Sequence, residues 1–182
     1  MANEEHLNLL QQGNAVWNEW RKKNPALVAN LRRAHLSRAN LAGANLTGAN
    51  LSAAELWNSN LRGVNLTGAR LASAQLIKTD LRDATLTGSR VYGASVWDIK
   101  VNDDTKQQNL IITAGDQPVI TVDNIKVAQF IYLLLNNEDL GPAARCSGKA
   151  AAAAHRLDKS IPVAQLTQRN RLGSPRAWCC RR

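Results

Sequence analysis

Aliphatic residues return at every fifth position through the middle of this chain. Leucine fills positions 31, 36, 41, 46, 51, 56, 61, 66, 71, 76, 81 and 86, and Val91, Val96 and Val101 hold the same beat. Two residues before each stands a small one, alanine at 29, 34, 39, 44, 49, 54, 69, 74, 84 and 94, with Ser59, Val64, Thr79, Ser89 and Ile99 as exceptions. On an α-helix five residues turn about 500°, so the leucines would spiral around the rod by about 140° at each step. In a flat strand the odd step would throw them to alternate faces. A chain that turns a corner in every pentapeptide brings all of them to one axis, and alternating large and small inward positions fill a narrow core.

The number of sides is also written in the chain. Leu-Thr-Gly recurs at 46–48, 66–68 and 86–88, Leu-Arg at 61–62 and 81–82, and Arg70 and Arg90 are likewise twenty residues apart. Twenty residues per turn is four pentapeptides, hence a square coil. Fifteen pentapeptides make three to four turns, a stack only about 18 Å tall at the usual strand spacing. Its two ends carry unpaired backbone groups and need caps.

The flanks supply them. Residues 3–23 read as one helix, with Leu7, Leu10 and Trp17 beside Leu9, Val16 and Trp20 on a broad apolar stripe, weakened at Gly13 and ended by Asn24-Pro25. Its expected task is to cover the first turn. After Val101 a polar break at 103–107 leads into strands at 109–113 and 119–122, which can extend the coil irregularly. A helix should follow, N-capped near Thr121 or Asp123, burying Val127, Phe130, Ile131 and Leu134 and stopping before Gly141-Pro142. The expected units are a capping helix over 1–26, the coil over 27–103, a strand–helix cap over 104–140 and a basic, disordered tail over 141–182.

The strings ANLAG, ANLTG, ANLSA, VNLTG and ARLAS resemble the A(D/N)Lxx motif of pentapeptide-repeat proteins. That resemblance implies an all-β solenoid, a right-handed quadrilateral β-helix of three to four coils with flanking N- and C-terminal α-helices. The stretch VYGASVWDIKV…NLIIT…ITVDNIKVAQFIYLLLNNEDL further resembles bacterial pentapeptide-repeat proteins that carry a downstream Toll/interleukin-receptor-like domain. The similarity spans about residues 1–140 and stops there. Beyond it the chain is rich in Ala, Arg, Gly and Ser, which reads as a truncated or out-of-frame end, or as a basic tail.

Charge follows the same division. The net charge is +9; residues 141–182 hold nine Lys/Arg against one acidic residue, and residues 1–140 hold fourteen against thirteen. Within the coil, between Leu31 and Val101, nine basic residues face four acidic ones. Some members of the resembled family are acidic rods that imitate DNA; a short, net positive coil argues against that role here. Cys146, Cys179 and Cys180 with His6, His35 and His155 give no metal-ligand spacing, so no metal and no cofactor is expected. No catalytic constellation, phosphate loop or membrane-length apolar run appears, and the first twelve residues lack a signal-peptide layout, which points to a cytoplasmic, non-enzymatic protein without a membrane partner.

What remains is the outer surface. Stacking by twenties lines up Ser37, Trp57, Ile77 and Trp97, an apolar stripe that a flanking helix is expected to cover; if bare, Trp57 and Trp97 are the natural anchors for a protein partner. Arg62 and Arg82 line up on another side, and Thr47, Thr67 and Thr87 form a column that suits a solvated strand surface. The functional expectation is a scaffold for protein–protein interaction. Alternatives are anionic-surface or nucleic-acid binding through the tail, and a remnant of a nucleotide-processing Toll-like enzyme lacking its catalytic domain. An uncovered coil end can also stack on a second copy, giving a homodimer.

Overall fold

One pentapeptide suffices to show how the coil is built. In the computed structural model, which describes residues 1–136 other than 116, the Leu46 N–H donates to the Asn65 carbonyl of the next turn (2.8 Å) and the Gly48 N–H to that of Thr67 (2.9 Å). The Ala49 N–H closes a tight turn on the Leu46 carbonyl (3.0 Å), and the Asn65 N–H returns to Ala44 (3.0 Å). One N–H in five is left over, that of Thr47. The Asn45 side chain takes it, Oδ1 accepting at 3.2 Å. The same bond, from the residue before the leucine to the N–H two positions on, recurs at Asn30, Asn40, Asn50, Asn60, Asn65 and Asp80. The Asn of the repeat is therefore a backbone component: it satisfies the one donor that the ladder leaves out.

The corner residue two after each leucine has positive φ, between 56° and 69° from Arg33 to Asp98. Positive φ confined to the third residue of the turn is the type II pattern. Alanine at such a position carries a backbone cost of about 1 kcal/mol or more that glycine does not. Ala53 (φ 56°) has that conformation, so Ala53→Gly is expected to raise stability by about 1 kcal/mol, seen as a higher denaturation midpoint.

Parallel bridges run from Asn30↔Asn50 to Arg90↔Ile111, each partner twenty residues on until the last two steps, Thr85↔Lys106 and Arg90↔Ile111, which are twenty-one apart. The extra residue falls within the polar stretch after Val101, and Asn102 absorbs it. Its Oδ1 accepts the Asp83 N–H (2.9 Å), the bond a backbone carbonyl makes on the turns above, and also the Thr105 hydroxyl (2.8 Å). The ladder thus continues past residue 103, where the sequence suggested a break. Leu46, Leu66 and Leu86 stand in register on one side, all fully buried. Ser59 and Thr79, which replace alanine in the core, both donate to the Leu56 carbonyl (2.6 and 2.8 Å). Ser89 has no such bond: its Oγ is buried without a partner. Since alanine fills the same place at 29, 49 and 69, Ser89→Ala is expected to stabilise by about 1 kcal/mol in thermal or urea unfolding.

The N-terminal end is closed by two helices, α1 (Glu4–Gln11) and α2 (Asn14–Lys23), where the apolar stripe predicted one. Gly13 separates them at φ 116°, ψ 159°, a region open essentially to glycine alone, and the fold-back lets both helices meet the coil end. Trp17 is fully buried and its Nε1 donates to the Asn45 carbonyl (2.8 Å). Asn18 brackets the same edge, accepting from the Asn45 N–H (2.7 Å) and donating to the Gly43 carbonyl (3.0 Å). Asn14 reaches the Ala42 carbonyl, Arg21 the Thr47 carbonyl, and buried His6 accepts from the Asn30 N–H at Nδ1. These are the edge groups that would otherwise be orphaned.

At the other end β1 (Leu110–Ile111) pairs antiparallel with β2 (Thr121–Val122), and α3 (Ile125–Asn136) follows. The N-cap is Asn124, whose Oδ1 accepts from Lys126 and Val127, rather than Thr121 or Asp123. Thr121 is engaged in β2, and Asp123 accepts the Asn109 N–H (2.6 Å). Ile125, Val127, Ala128 and Ile131 are buried, but Phe130 is 40% exposed, contrary to the expected stripe, and Leu134 is half-buried. The helix is seated by Gln129, which accepts the Val96 N–H of the last turn (3.0 Å), and by Tyr132, whose ring would meet any Cβ placed on Gly93 at 3.3 Å. The stop before Gly141-Pro142, the tail over 141–182, its cysteines and His155 lie outside the described residues.

Candidate interaction surface

The ladder sorts every outward residue onto one of four sides. Side one is centred on Leu31, Leu51, Leu71 and Val91, side two on Leu36, Leu56, Leu76 and Val96, side three on Leu41, Leu61, Leu81 and Val101, and side four on Leu46, Leu66 and Leu86. Side two carries the stripe of Trp57, Ile77 and Trp97. Trp97 is 58% exposed, and Trp57 and Ile77 are half-buried. Among the described residues no bond places a flanking helix over Trp57 and Ile77: α1 and α2 bond to the N-terminal rim of sides one, three and four, Tyr132 of α3 sits at Gly93 and Ser73 on side one, and α3 meets side two at its last turn, where Gln129 accepts the Val96 N–H beside Trp97. Instead, the Arg38 guanidinium lies over the Trp57 ring, 4.9 Å from its centroid. Such a contact attracts the cation to the ring face and restrains the indole.

Arg62 and Arg82, on side three, do not form a free basic column. The Arg62 Nε donates to Asp83 (2.8 Å), and Arg82 makes a fork to Asp80, Nη2 donating at 2.6 Å and Nε at 2.9 Å. The Asn102 Nδ2 also donates to Asp83 (2.7 Å). Hydrogen bonding from Arg82 holds the Asp80 carboxyl below its ordinary pKa, and hydrogen bonds from Asn102 and then Arg62 do the same for Asp83. A depressed carboxylate stabilises the fold above its unfolded pKa, about 3.9, and that contribution disappears as pH falls through the lower folded value. The denaturation midpoint is therefore expected to drop below about pH 4. Asp80→Asn should flatten part of that limb, because asparagine keeps the turn acceptor and loses the charge. The effect is small, since solvent screens exposed ion pairs.

His35 pairs with Glu55 (2.9 Å) and His6 is a capping residue. Among the described residues no group of three or more His, Cys, Asp or Glu side chains is placed to hold a metal ion, and no helix is long and apolar enough to cross a membrane. A wide-open groove of about 440 Å³ lies between α1 and α2, lined by Leu9, Ala15, Val16, Glu19, Trp20 and Lys23. It has no convergent polar groups of the kind that fix a small substrate. The cap residues His6, Asn14, Asn18 and Arg21 carry no recognisable signal in the sequence, because their partners are backbone atoms; Arg21 and Asn14 reach groups twenty-six and twenty-eight residues away.

Comparison with known proteins agrees with the ladder. The family profile "Pentapeptide repeats" matches eight copies, over residues 29–68, 49–88 and 65–96. The chain belongs to the pentapeptide-repeat family, and its coil is a right-handed quadrilateral β-helix. Among solved structures it is similar to the pentapeptide repeat protein Rfr23 of the cyanobacterium Cyanothece 51142, at 34% identity over 42% of this chain and 52% of that one (TM-score 0.42). It is also similar to the pentapeptide repeat protein alr5209 of Nostoc PCC 7120, at 33% identity over 48% of this chain and 74% of that one (TM-score 0.37). A pentapeptide repeat protein of the Arabidopsis thaliana thylakoid lumen matches at 20% identity over 48% and 69% (TM-score 0.30). The chain thus spans about half the length of the first of these structures. No curated protein sequence matches it.

Proposed function

We propose that this protein is a non-catalytic scaffold that captures a protein partner, with the cytoplasm as its setting, on the side of the coil carrying Trp57, Ile77 and Trp97. The observation that supports this is the exposure of Trp97 at the end of an aligned apolar stripe on a rigid ladder. Tryptophans held in place on a stiff surface lose little entropy on binding and dominate interface energies. Arg38 and Lys78 flank the stripe beside Asp98, with Glu55 on the same side, so the partner meets apolar surface with a rim of mixed charge. Arg62 and Arg82 stay exposed on the neighbouring side, but their charges are paired, and they serve at most as a rim. A second copy would find the part of the N-terminal edge around His35 and Asn40 free of hydrogen bonds from α1 and α2 among the described residues; the reading does not require it. The readings that rest on residues 141–182, or on a Toll-like domain, lie outside the described residues.

The test is affinity capture with the full chain beside a Trp57→Ala/Trp97→Ala double variant. Partners that bind the parent should be lost from the variant while its melting temperature stays within a few degrees. Undiminished capture by the variant would sink the proposal, and a collapse in melting temperature would reassign the tryptophans to structure.

A further inference from the structure

Sorting charge by side of the coil shows an asymmetry that the linear sequence conceals. Among the described residues, side two sets Arg38 and Lys78 against Glu55 and Asp98 and is neutral. Side three sets Arg62, Arg82 and Lys100 against Asp80, Asp83, Asp103 and Asp104, and side four has Lys106 alone. Side one carries Arg32, Arg33, Arg70 and Arg90 and, among the described residues of the coil, no carboxylate.

Two of these arginines occupy positions where the coil's own chemistry asks for something else. Arg70 and Arg90 stand where Asn30 and Asn50 stand on the two turns above, before the central leucine. Asn30 and Asn50 give their Oδ1 to the leftover N–H of Arg32 and Ser52. Arginine has no acceptor, so the corresponding bonds to Ala72 and Tyr92 are forgone. The two arginines are also direct bridge partners, like charges one ladder step apart, about 4.8 Å. Such a pair is unfavourable. Neither guanidinium has a carboxylate, carbonyl or ring partner among the described residues. Two local costs with no compensation among the described residues point to an anion from outside.

We propose that side one is an anion-binding face that takes the phosphate backbone of a nucleic acid, without reading its bases. From Arg32 to Arg90 the face covers three ladder steps, about 14 Å, with four arginine forks. An acidic strand presents a carboxylate to one side only about every 6.8 Å, two or three in that length. One strand of a nucleic-acid duplex offers a phosphate per about 3.4 Å of axis, about four in that length. Arginine's planar donors suit phosphate oxygens. The floor beside Arg32 to Arg70 is low, with Ser52, Ala53 and Ala72 in the corner, whereas at the last turn Tyr132 of α3 packs on Tyr92 and Gly93 and bounds the face. This face lies apart from the tryptophan stripe, and the proposal does not depend on the scaffold reading.

The experiment is fluorescence anisotropy of the full chain with a labelled DNA duplex and with its single strand, across a range of salt concentrations. The variant Arg32→Gln/Arg33→Gln/Arg70→Gln/Arg90→Gln should bind at least ~10-fold more weakly at low salt, and the slope of log K against log salt should shrink by about three to four. The control Arg62→Gln/Arg82→Gln/Lys100→Gln on side three should change it by less than about one. Arg90→Gln alone should lower the slope by about one without lowering the melting temperature, because it separates two like charges; this keeps the test open should the quadruple variant fold poorly. An unchanged salt slope in the side-one variants, or tighter binding to polyglutamate than to DNA, overturns the proposal.

Discussion

Leu66→Ala is expected to destabilise the protein by about 3 kcal/mol, within the 2–5 kcal/mol range of buried leucine truncations. Leu66 is fully buried between Leu46 and Leu86, themselves fully buried. The backbone on each turn is tied above and below by hydrogen bonds near 2.8 Å, as in Leu46 N–H to Asn65 and Leu66 N–H to Thr85 (2.7 Å). Neighbouring turns therefore cannot close in on the space left by the missing methyl groups, and the cavity term is retained in full. The adjacent outward residue is the control: Thr67→Ala loses a surface hydroxyl bonded to Asn65 (2.7 Å) and should change stability by less than about 0.5 kcal/mol. Urea unfolding of both variants decides the matter, and a loss below about 1 kcal/mol for Leu66→Ala would show a looser core than the ladder implies.

Trp17→Ala should cost more, about 4 kcal/mol. The residue is fully buried, stacks at 5.1 Å on Trp20, and supplies the donor that satisfies the Asn45 carbonyl at the top of side four. Its loss removes the largest side chain of the cap and bares an edge that nothing below can pair. Trp17→Phe separates the two contributions. It keeps most of the packing, and the unpaired carbonyl should account for about 1–3 kcal/mol on its own. Because each turn of a solenoid leans only on its neighbours, unfolding is expected to begin at this end in the alanine variant. Hydrogen exchange should then show protection lost first around Leu31 to Gly48, with Leu66 to Leu86 retaining theirs longer.

The coil was legible because its determinants are periodic. Leucine every five residues and Leu-Thr-Gly every twenty fix the inward face and the number of sides without any knowledge of distant partners. The caps were legible only as apolar stripes. Gly13 read as a weak point within one helix, but its φ of 116° is demanded by the requirement that α1 and α2 both reach the coil rim. The start of α3 moved to Asn124 because Thr121 pairs with Ile111 and Asp123 takes the Asn109 N–H, two engagements that span ten and fourteen residues and leave no local trace. Phe130 was assigned to the core by helical spacing alone. Its 40% exposure follows from where Gln129 and Tyr132 pin the helix. The surface was legible as columns but not as charge partners. Arg62 and Arg82 share a column in the sequence, and only the fold reveals that Asp83 and Asp80 occupy their donors. For the same reason the unpaired state of Arg70 and Arg90 came from the structure.

The twenty-one-residue turn at Asn102 has a further meaning for how such proteins can lengthen. Inserting one residue in a flat strand reverses the orientation of everything after it. Here the chain restarts its count at Thr105, which donates to the Leu81 carbonyl (3.1 Å), and Leu110 is again fully buried. The insertion is confined to a bend and leaves the downstream faces unrotated, so the bends of this coil are natural graft points. A loop added there can carry a new epitope while every flat side keeps the pattern already inscribed on it.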